Sequence, residues 1–221
     1  MSRTGYQLWQ IVDRLDASIT LTSPLPALNR VLYCHRGGFD TDDGSHCDED
    51  SAWFGRHAVV VSAGADGAVI WRWELVAEDE RPVLPEQTGV TSKVNITADL
   101  DNPDVADDWL LRCDSVKFPM GGQAFLHVHQ GPGIRVLREG QIRIDTAGVT
   151  HDYLPGQAWF EPGPEPVFAQ ASELECSRFV RVMVLPAELK GKSSIQYVNA
   201  EDLEKPKTQR YQFYVDEPIE H

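Results

Sequence analysis

The sequence predicts an all-β protein made of two tandem barrels, and three observations carry that prediction. An internal repeat divides the chain, apolar runs of strand length alternate with Gly and Pro, and helical periodicity is confined to two short stretches. The repeat is visible by eye. Arg30-Val31-Leu32 recurs as Arg135-Val136-Leu137 at an offset of 105, and Ala52-Trp53-Phe54 recurs as Ala158-Trp159-Phe160 at 106. The strand around Val69–Trp73 answers that around Phe179–Met183, with Arg72 and Arg181 109 apart. The order is kept and the offset drifts by a few residues, as loop insertions in a duplicated unit would produce.

Each half then reads as short strands punctuated by turns. Val136 to Ile144 alternates in part around Glu139-Gly140, which marks a hairpin or a bulge. Ala147-Gly148, Pro155-Gly156 and Pro162-Gly163-Pro164 are turn signals. Phe179 to Leu185 is rich in apolar and β-branched residues and stops at Pro186. Helix is expected only within Pro103–Leu111 and Ala187–Lys190. These signals divide the chain into a first barrel (1–77), a linker (78–108), a second barrel (109–198) and a charged tail (199–221). The linker is polar and carries Pro82, Pro85 and Gly89; in the tail, Tyr211, Phe213, Tyr214 and Val215 suit either an edge strand or a solvated terminus.

Bulk properties narrow the function. A chain of 221 residues has room for two domains of about 100 residues, each able to bury a core without disulfides. With 42% hydrophobic and 24% charged residues the composition is that of an ordinary globular protein. A net charge of −14 argues against nucleic acid and against an anionic membrane surface, since both demand a surplus of Lys and Arg. Cys34, Cys47, Cys113 and Cys176 lie far apart with no C-x-x-C pair, so free thiols in a reducing cytoplasm are expected. The first residues lack an apolar stretch of signal-peptide length, and no run of about 18 apolar residues could span a bilayer. A cytoplasmic protein with a small-molecule partner is the resulting expectation.

The chemistry-bearing segment is Phe125-Leu126-His127-Val128-His129-Gln130-Gly131-Pro132-Gly133. On a strand, residues i and i+2 share a face, so His127 and His129 would present two imidazoles side by side. Such a pair is half of a metal site; the other reading is a hydrogen-bonding pair in a polar pocket that holds no metal. With Gly121 before the histidines, Gly140 after them, and Gly156 and Pro162 beyond, the segment resembles the cupin superfamily. The first cupin motif is G-x5-H-x-H-x3/4-E-x6-G and the second G-x5-P-x-G-x2-H. The resemblance covers residues 113–186, and residues 17–76 only through the repeat. Its glutamate is replaced near Gly133, and its last histidine falls on Val167.

The resemblance implies two tandem jelly-roll barrels, and a divalent metal (Fe, Mn, Ni or Zn) held by His127 and His129 with Glu161 or Glu165 as carboxylate. It also implies a homodimer formed through exposed sheet edges. Two functions follow: a metal-dependent enzyme, oxygenase or isomerase-like, acting on a small organic molecule, or a non-catalytic small-molecule binding or sensing protein that has lost the full ligand set. The same slide of 105 residues sets Thr22 opposite His127 and Pro24 opposite His129, so the first barrel is expected to be degenerate and metal-free. Arg135 and Arg143 either turn inward to clamp a carboxylate or form exterior ion pairs; the recurrence of Arg30 in the barrel without histidines favours the exterior. Asp40 to Asp50 reads as a solvated hairpin loop, and Trp53 and Trp159 as packing residues.

Overall fold

The computed structural model describes residues 5–100 and 108–219, which are almost wholly β. The chain divides near residue 105 into two compact units. The first contains β1 (Tyr6–Leu15), β2 (Asn29–Thr41), β3 (His46–Asp48), β4 (Ala52–Gly55), β5 (Val61–Ala77) and β6 (Val90–Leu100). They form one six-stranded antiparallel sheet in the order β3-β2-β5-β1-β6, with β4 also on β2. Register shifts between Cys34 and Arg36 and between Gly37 and Phe39 interrupt the pairing of the long strands β2 and β5. Such bulges bend a strand, and β2 pairs with β4 before them and with β3 after them. The concave side holds a core that includes Leu25, Leu32, Phe39, Val61 and Ile70.

The second unit contains β7 (Trp109–Phe118), β8 (Gln123–His129), β9 (Gly133–Glu139), β10 (Ile142–Thr146), β11 (Val149–Tyr153), β12 (Ala158–Glu161), β13 (Val167–Ala171) and β14 (Ser177–Pro186). The 3-10 turn η1 (Ala187–Leu189), β15 (Ile195–Tyr197), η2 (Ala200–Leu203) and β16 (Arg210–Pro218) complete it. Two five-stranded sheets, β11-β10-β13-β8-β15 and β12-β9-β14-β7-β16, pack face to face. Val116, Phe118, Leu137, Trp159 and Phe179 from one sheet meet Ala124, Ile142, Ile144, Val167 and Ala169 from the other. Period-2 alternation puts these residues inside; Val167–Ala171, for instance, is buried at every second position.

The repeat is written in the strand register. The order β4-β2-β5-β1-β6 in the first unit reappears as β12-β9-β14-β7-β16 in the second. Trp53 pairs with Leu32 and Leu32 with Arg72, while Trp159 pairs with Arg135 and Arg135 with Arg181. The last strand of each set even carries its extra residue at the matching step: Asn95 bulges against Gln10–Ile11 on β1, and Tyr214 against Cys113–Asp114 on β7. This register corrects the offset read from sequence. The two Arg-Val-Leu triplets are displaced by two residues, so Arg30 occupies the place of Gly133, and Leu32 that of Arg135.

Three further expectations change, and one open alternative resolves. Residues 90–100, assigned to the linker, are strand β6 on β1; of the two readings of the tail the edge strand is the one found, residues 210–218 forming β16 on β7. The two segments are equivalent strands of the repeated sheet. Of the stretch expected to be helical, 103–107 lies outside the described residues and 109–111 begins β7. Glu139-Gly140 is not a hairpin, because β9 and β10 belong to different sheets. Gly140 has φ +73° where the chain crosses between them, and a Cβ there would strike the carbonyl oxygen of Cys176. The bulge alternative survives one residue earlier, where Arg138 is skipped in the pairing of β9 with β14. Among the described residues no helix is long and apolar enough to cross a membrane, and the four cysteines are unpaired thiols.

Each unit ties an arginine of its central strand to a carboxylate on its first strand. Arg72 grips Asp13 at 2.6 and 3.1 Å, and Arg181 grips Asp114 at 2.7 and 3.1 Å, all four residues being buried. Planar guanidinium and carboxylate match in such a two-bonded pair. Asp114→Ala would leave Arg181 charged and unpaired in the interior, so urea unfolding should show a loss of about 3–5 kcal/mol. Arg143→Ala, which removes only the exposed contact with Asp145, should leave the midpoint nearly unchanged.

Candidate functional site

The site lies between the two sheets of the second unit. On β8 both histidines are buried, at 4% exposure each, while Val128 between them turns the other way. Their rings meet edge to face at 4.8 Å between centroids, with the two Nε2 atoms 3.2 Å apart. The Phe125 carbonyl lies 2.7 Å from His127 Nδ1. A carbonyl can only accept, so Nδ1 carries the proton and donates it, leaving the Nε2 lone pair of His127 facing His129.

The carboxylate comes from β12. Trp159 and Glu161, two residues apart, face inward together. The Trp159 indole N–H donates to Glu161 Oε1 at 2.8 Å, and Glu161 Oε2 stands 3.1 Å from His129 Nε2. Arg135 reaches the same oxygen from β9, its Nη2 2.7 Å away. That contact is close but out of line, so both Arg135 Nη2 and Glu161 Oε2 remain without a properly directed hydrogen bond, as does His129 Nδ1. Arg135 also donates from Nη1 to the Gly133 carbonyl at 2.5 Å. The exterior placement favoured for Arg135 is therefore wrong: it is buried and clamps a carboxylate of its own chain. Arg143 is exterior, paired with Asp145.

Strand pairing explains why the first motif lacks its glutamate. Gly133 sits directly opposite Glu161 on β12 and Met183 on β14. A Cβ at 133 would lie 2.6 Å from both Met183 Cγ and the Val182 carbonyl oxygen, so no side chain fits. The carboxylate is supplied instead one strand across. Val167, where the second motif would place a histidine, is the cross-strand neighbour of His127 and lines the cavity with an apolar side chain. Glu165 is exposed in the loop before β13 and takes no part in the site. Its sequence position matched Glu161 in promise; Glu161 is the last residue of β12, whereas Glu165 lies past the turn that follows it.

Burial dominates the electrostatics. It lowers the pKa of His127 and takes that of His129 down to about 3, against opposing pulls from the Phe125 carbonyl and Glu161 respectively. Burial also pulls Arg135 down to about 10, with Glu161 opposing, so it stays cationic at neutral pH. Burial alone would raise Glu161, yet the charge of Arg135 and the contact with His129 outweigh it and hold the carboxyl well below the usual range. At neutral pH the site is thus two neutral imidazoles beside an ion pair. They line a cavity of about 20 Å³, whose wall includes the apolar side chains of Phe118, Ile144, Val167 and Phe179. That is room for roughly one water or one ion.

Does a divalent metal fit these residues? Metal–nitrogen bonds of about 2.0–2.1 Å at tetrahedral or octahedral angles put neighbouring donors about 2.8–3.4 Å apart. The Nε2–Nε2 and Nε2–Oε2 separations of 3.2 and 3.1 Å fall in that range. The fixed tautomer of His127 and the undirected Oε2 of Glu161 suit the same role. Against this, the Arg135 guanidinium already engages Oε2, and no group of three or more His, Cys, Asp or Glu among the described residues is arranged as a complete ligand set. The imidazole pair fits a metal; the third arm fits only once Glu161 turns from Arg135.

The lowered histidine pKa values have a measurable consequence in metal-free protein. The unfolded chain takes up protons at both positions below about pH 6.5, whereas folded His129 does so only near pH 3. Stability should therefore fall as pH drops from about 6.5, at most by about 1.4 kcal/mol per pH unit for each histidine. Urea midpoints of chelator-treated protein between about pH 7 and 5 should show this slope, and His127→Gln/His129→Gln should lose it. Parallel profiles would contradict the buried neutral pair.

No family model matches the sequence, and no curated protein matches it. Solved structures do. Oxalate decarboxylase of Bacillus subtilis shares 11% identity at a TM-score of 0.64 over 93% of this chain and 78% of its own. AerE from Microcystis aeruginosa shares 12% at 0.58, over 81% of this chain and 88% of its own. A salicylate 1,2-dioxygenase mutant from Pseudoaminobacter salicylatoxidans shares 10% at 0.55, over 94% and 74%. At such identities the likeness concerns backbone alone. Together with the strand order and the paired histidines inside the sandwich, it establishes that this chain has the cupin fold.

Proposed function

We propose that the protein is an enzyme acting on a small organic molecule through a divalent metal held by His127 and His129, with Glu161 as the third ligand. The observation that carries this reading is the convergence of two neutral imidazole Nε2 atoms at 3.2 Å in the wall of a small cavity. Among the structural neighbours, the decarboxylase of Bacillus subtilis has Mn(II) centres, which makes manganese a first ion to try. When bound, such a metal supplies a Lewis acid or a site for activating oxygen. The chain's own residues do the rest. Phe125 and Trp159 fix the orientation of His127 and Glu161, and Phe118, Ile144, Val167 and Phe179 keep bulk water out. Arg135 holds Glu161 ionised and lends a positive charge to the cavity wall.

The clamp of Arg135 on Glu161 favours a second reading, a non-catalytic protein that binds an organic ligand without metal. Metal analysis separates the two. Protein incubated with Mn(II) or Fe(II) and desalted should retain about one ion per chain, and His127→Ala/His129→Ala should retain none. Equal content in both would leave only the second reading. Arg135→Gln, by releasing Glu161, should tighten metal binding; weaker binding would show that Glu161 is not a ligand.

A further inference from the structure

Beside the histidine cavity lies a larger one of about 360 Å³, lined by residues of β7, β14, β15, β16 and the loop 190–194. Arg181, Ile195 and Tyr211 line both cavities and form the partition between them. The larger chamber opens between the edge strands β15 and β16, and its volume is at the lower end of the range of about 300–1,000 Å³ typical of small-molecule sites.

Its lining is unlike the rest of the molecule. In a chain of net charge −14, the chamber wall carries Arg112, Arg181, Lys192 and Lys207 against a single carboxylate, Asp114. Asp114 is fully buried and already gripped by Arg181. Arg112 is matched from behind by Asp216 at 2.9 and 3.1 Å and is pinned by the Lys192 and Leu189 carbonyls. The Lys207 ammonium donates to the Asp202, Leu203 and Lys205 carbonyls, and the Asp202 carboxylate that attracts it is already bonded to Lys205 at 2.6 Å. Lys192 is exposed at the rim. With Arg181 set against Asp114 and Arg112 against Asp216, Lys192 and Lys207 leave the wall with a cationic surplus, and a cleft of one sign concentrates ions of the other.

Aromatic rings make up the remaining wall. Tyr197 lies 4.7 Å beneath the Lys207 ammonium, Phe213 faces the Arg112 guanidinium at 5.4 Å, and Tyr211 faces Arg181 at 5.9 Å. Tyr211 and Phe213 are 42% and 54% exposed, an uncommon burden for large apolar rings side by side on one edge strand. Cations alone would suit any anion, and rings alone any flat apolar molecule. Their combination, next to the buried histidines, selects one that is both.

We propose that this chamber binds a small organic anion with a planar apolar body, such as an aromatic carboxylate, and that this is the substrate class of the histidine site. The second clause rests on the enzymatic reading above; the first does not. The ring would lie on Tyr197, Tyr211 and Phe213, and the anionic group would turn toward Lys192 and Lys207.

The test is calorimetric titration of the full chain, stripped of metal by chelation, with benzoate, its neutral counterpart benzamide, and inorganic phosphate. Benzoate should saturate one site, at least about 10-fold more tightly than either of the others. Lys192→Ala should weaken benzoate about 5-fold, the scale of one exposed charge, as should Phe213→Ala. Both positions are exposed, and unchanged thermal unfolding will confirm that the variants fold. Arg143→Ala, on the exterior of β10 and three strands from β15, should bind benzoate as the parent does. No saturable benzoate binding, equal binding of benzamide or phosphate, or insensitivity to both Lys192→Ala and Phe213→Ala would each overturn the proposal. Loss of binding in the Arg143 variant would overturn the location. A protein that retains no metal but binds benzoate would defeat only the enzymatic reading; one that retains metal without binding benzoate would defeat only the chamber.

Discussion

An ionised carboxylate sits in the dry interior of the second β-sandwich because a guanidinium sits beside it. Removing two charges from water costs several kcal/mol each, and only close, well-placed partners offset that cost. Glu161 and Arg135 meet at 2.7 Å across neighbouring strands, and Trp159 holds the carboxylate's other oxygen. The balance between them determines the state of both histidines. A lone glutamate here would draw a proton onto His129, and a lone arginine would deter any cation. With both present, the imidazoles stay neutral and keep their lone pairs.

The pair also explains how a site with an incomplete motif remains organised. Arg135, Arg181 and Asp114 stand in one cross-strand row, so the charges of the interior form a chain from β9 to β7. The first unit uses the same lattice differently. At the step occupied by Gly133 and Met183 it has Arg30 and Glu74, an ion pair at 2.5 Å that fills the space. One backbone pattern thus supports an arginine–glutamate pair at this step in one unit and a glycine beside a histidine site in the other, as expected where chemistry depends on side chains rather than on the fold.

Much of this was legible in the sequence, and the gaps have physical causes. The β class, the repeat and the shared face of His127 and His129 all follow from period-2 alternation. Strand β6 was hidden because only Val90, Ala98 and Leu100 are buried and the exposed positions are Thr, Lys, Asn and Asp, so Val90–Leu100 reads as polar in aggregate. The offset of 105 misplaced Arg30 because short apolar words recur in any strand, whereas register depends on partners a linear sequence does not show. Glu161 and Glu165 differ by one loop bend that no composition reveals. Arg181 serves in the sequence only as a repeat marker, although a lone charge in the middle of an apolar strand must find its opposite nearby, here Asp114.

The crowding at Gly133 reaches beyond this one position. Because Met183 and the Val182 carbonyl close over it at 2.6 Å, a single codon change cannot reinstate an acidic side chain there; the neighbouring strand would first have to yield. At this position the departure from the four-ligand pattern is held in place by packing, and a fuller coordination shell would have to draw on Glu161, on a ligand in place of Val167, or on a shortened Met183.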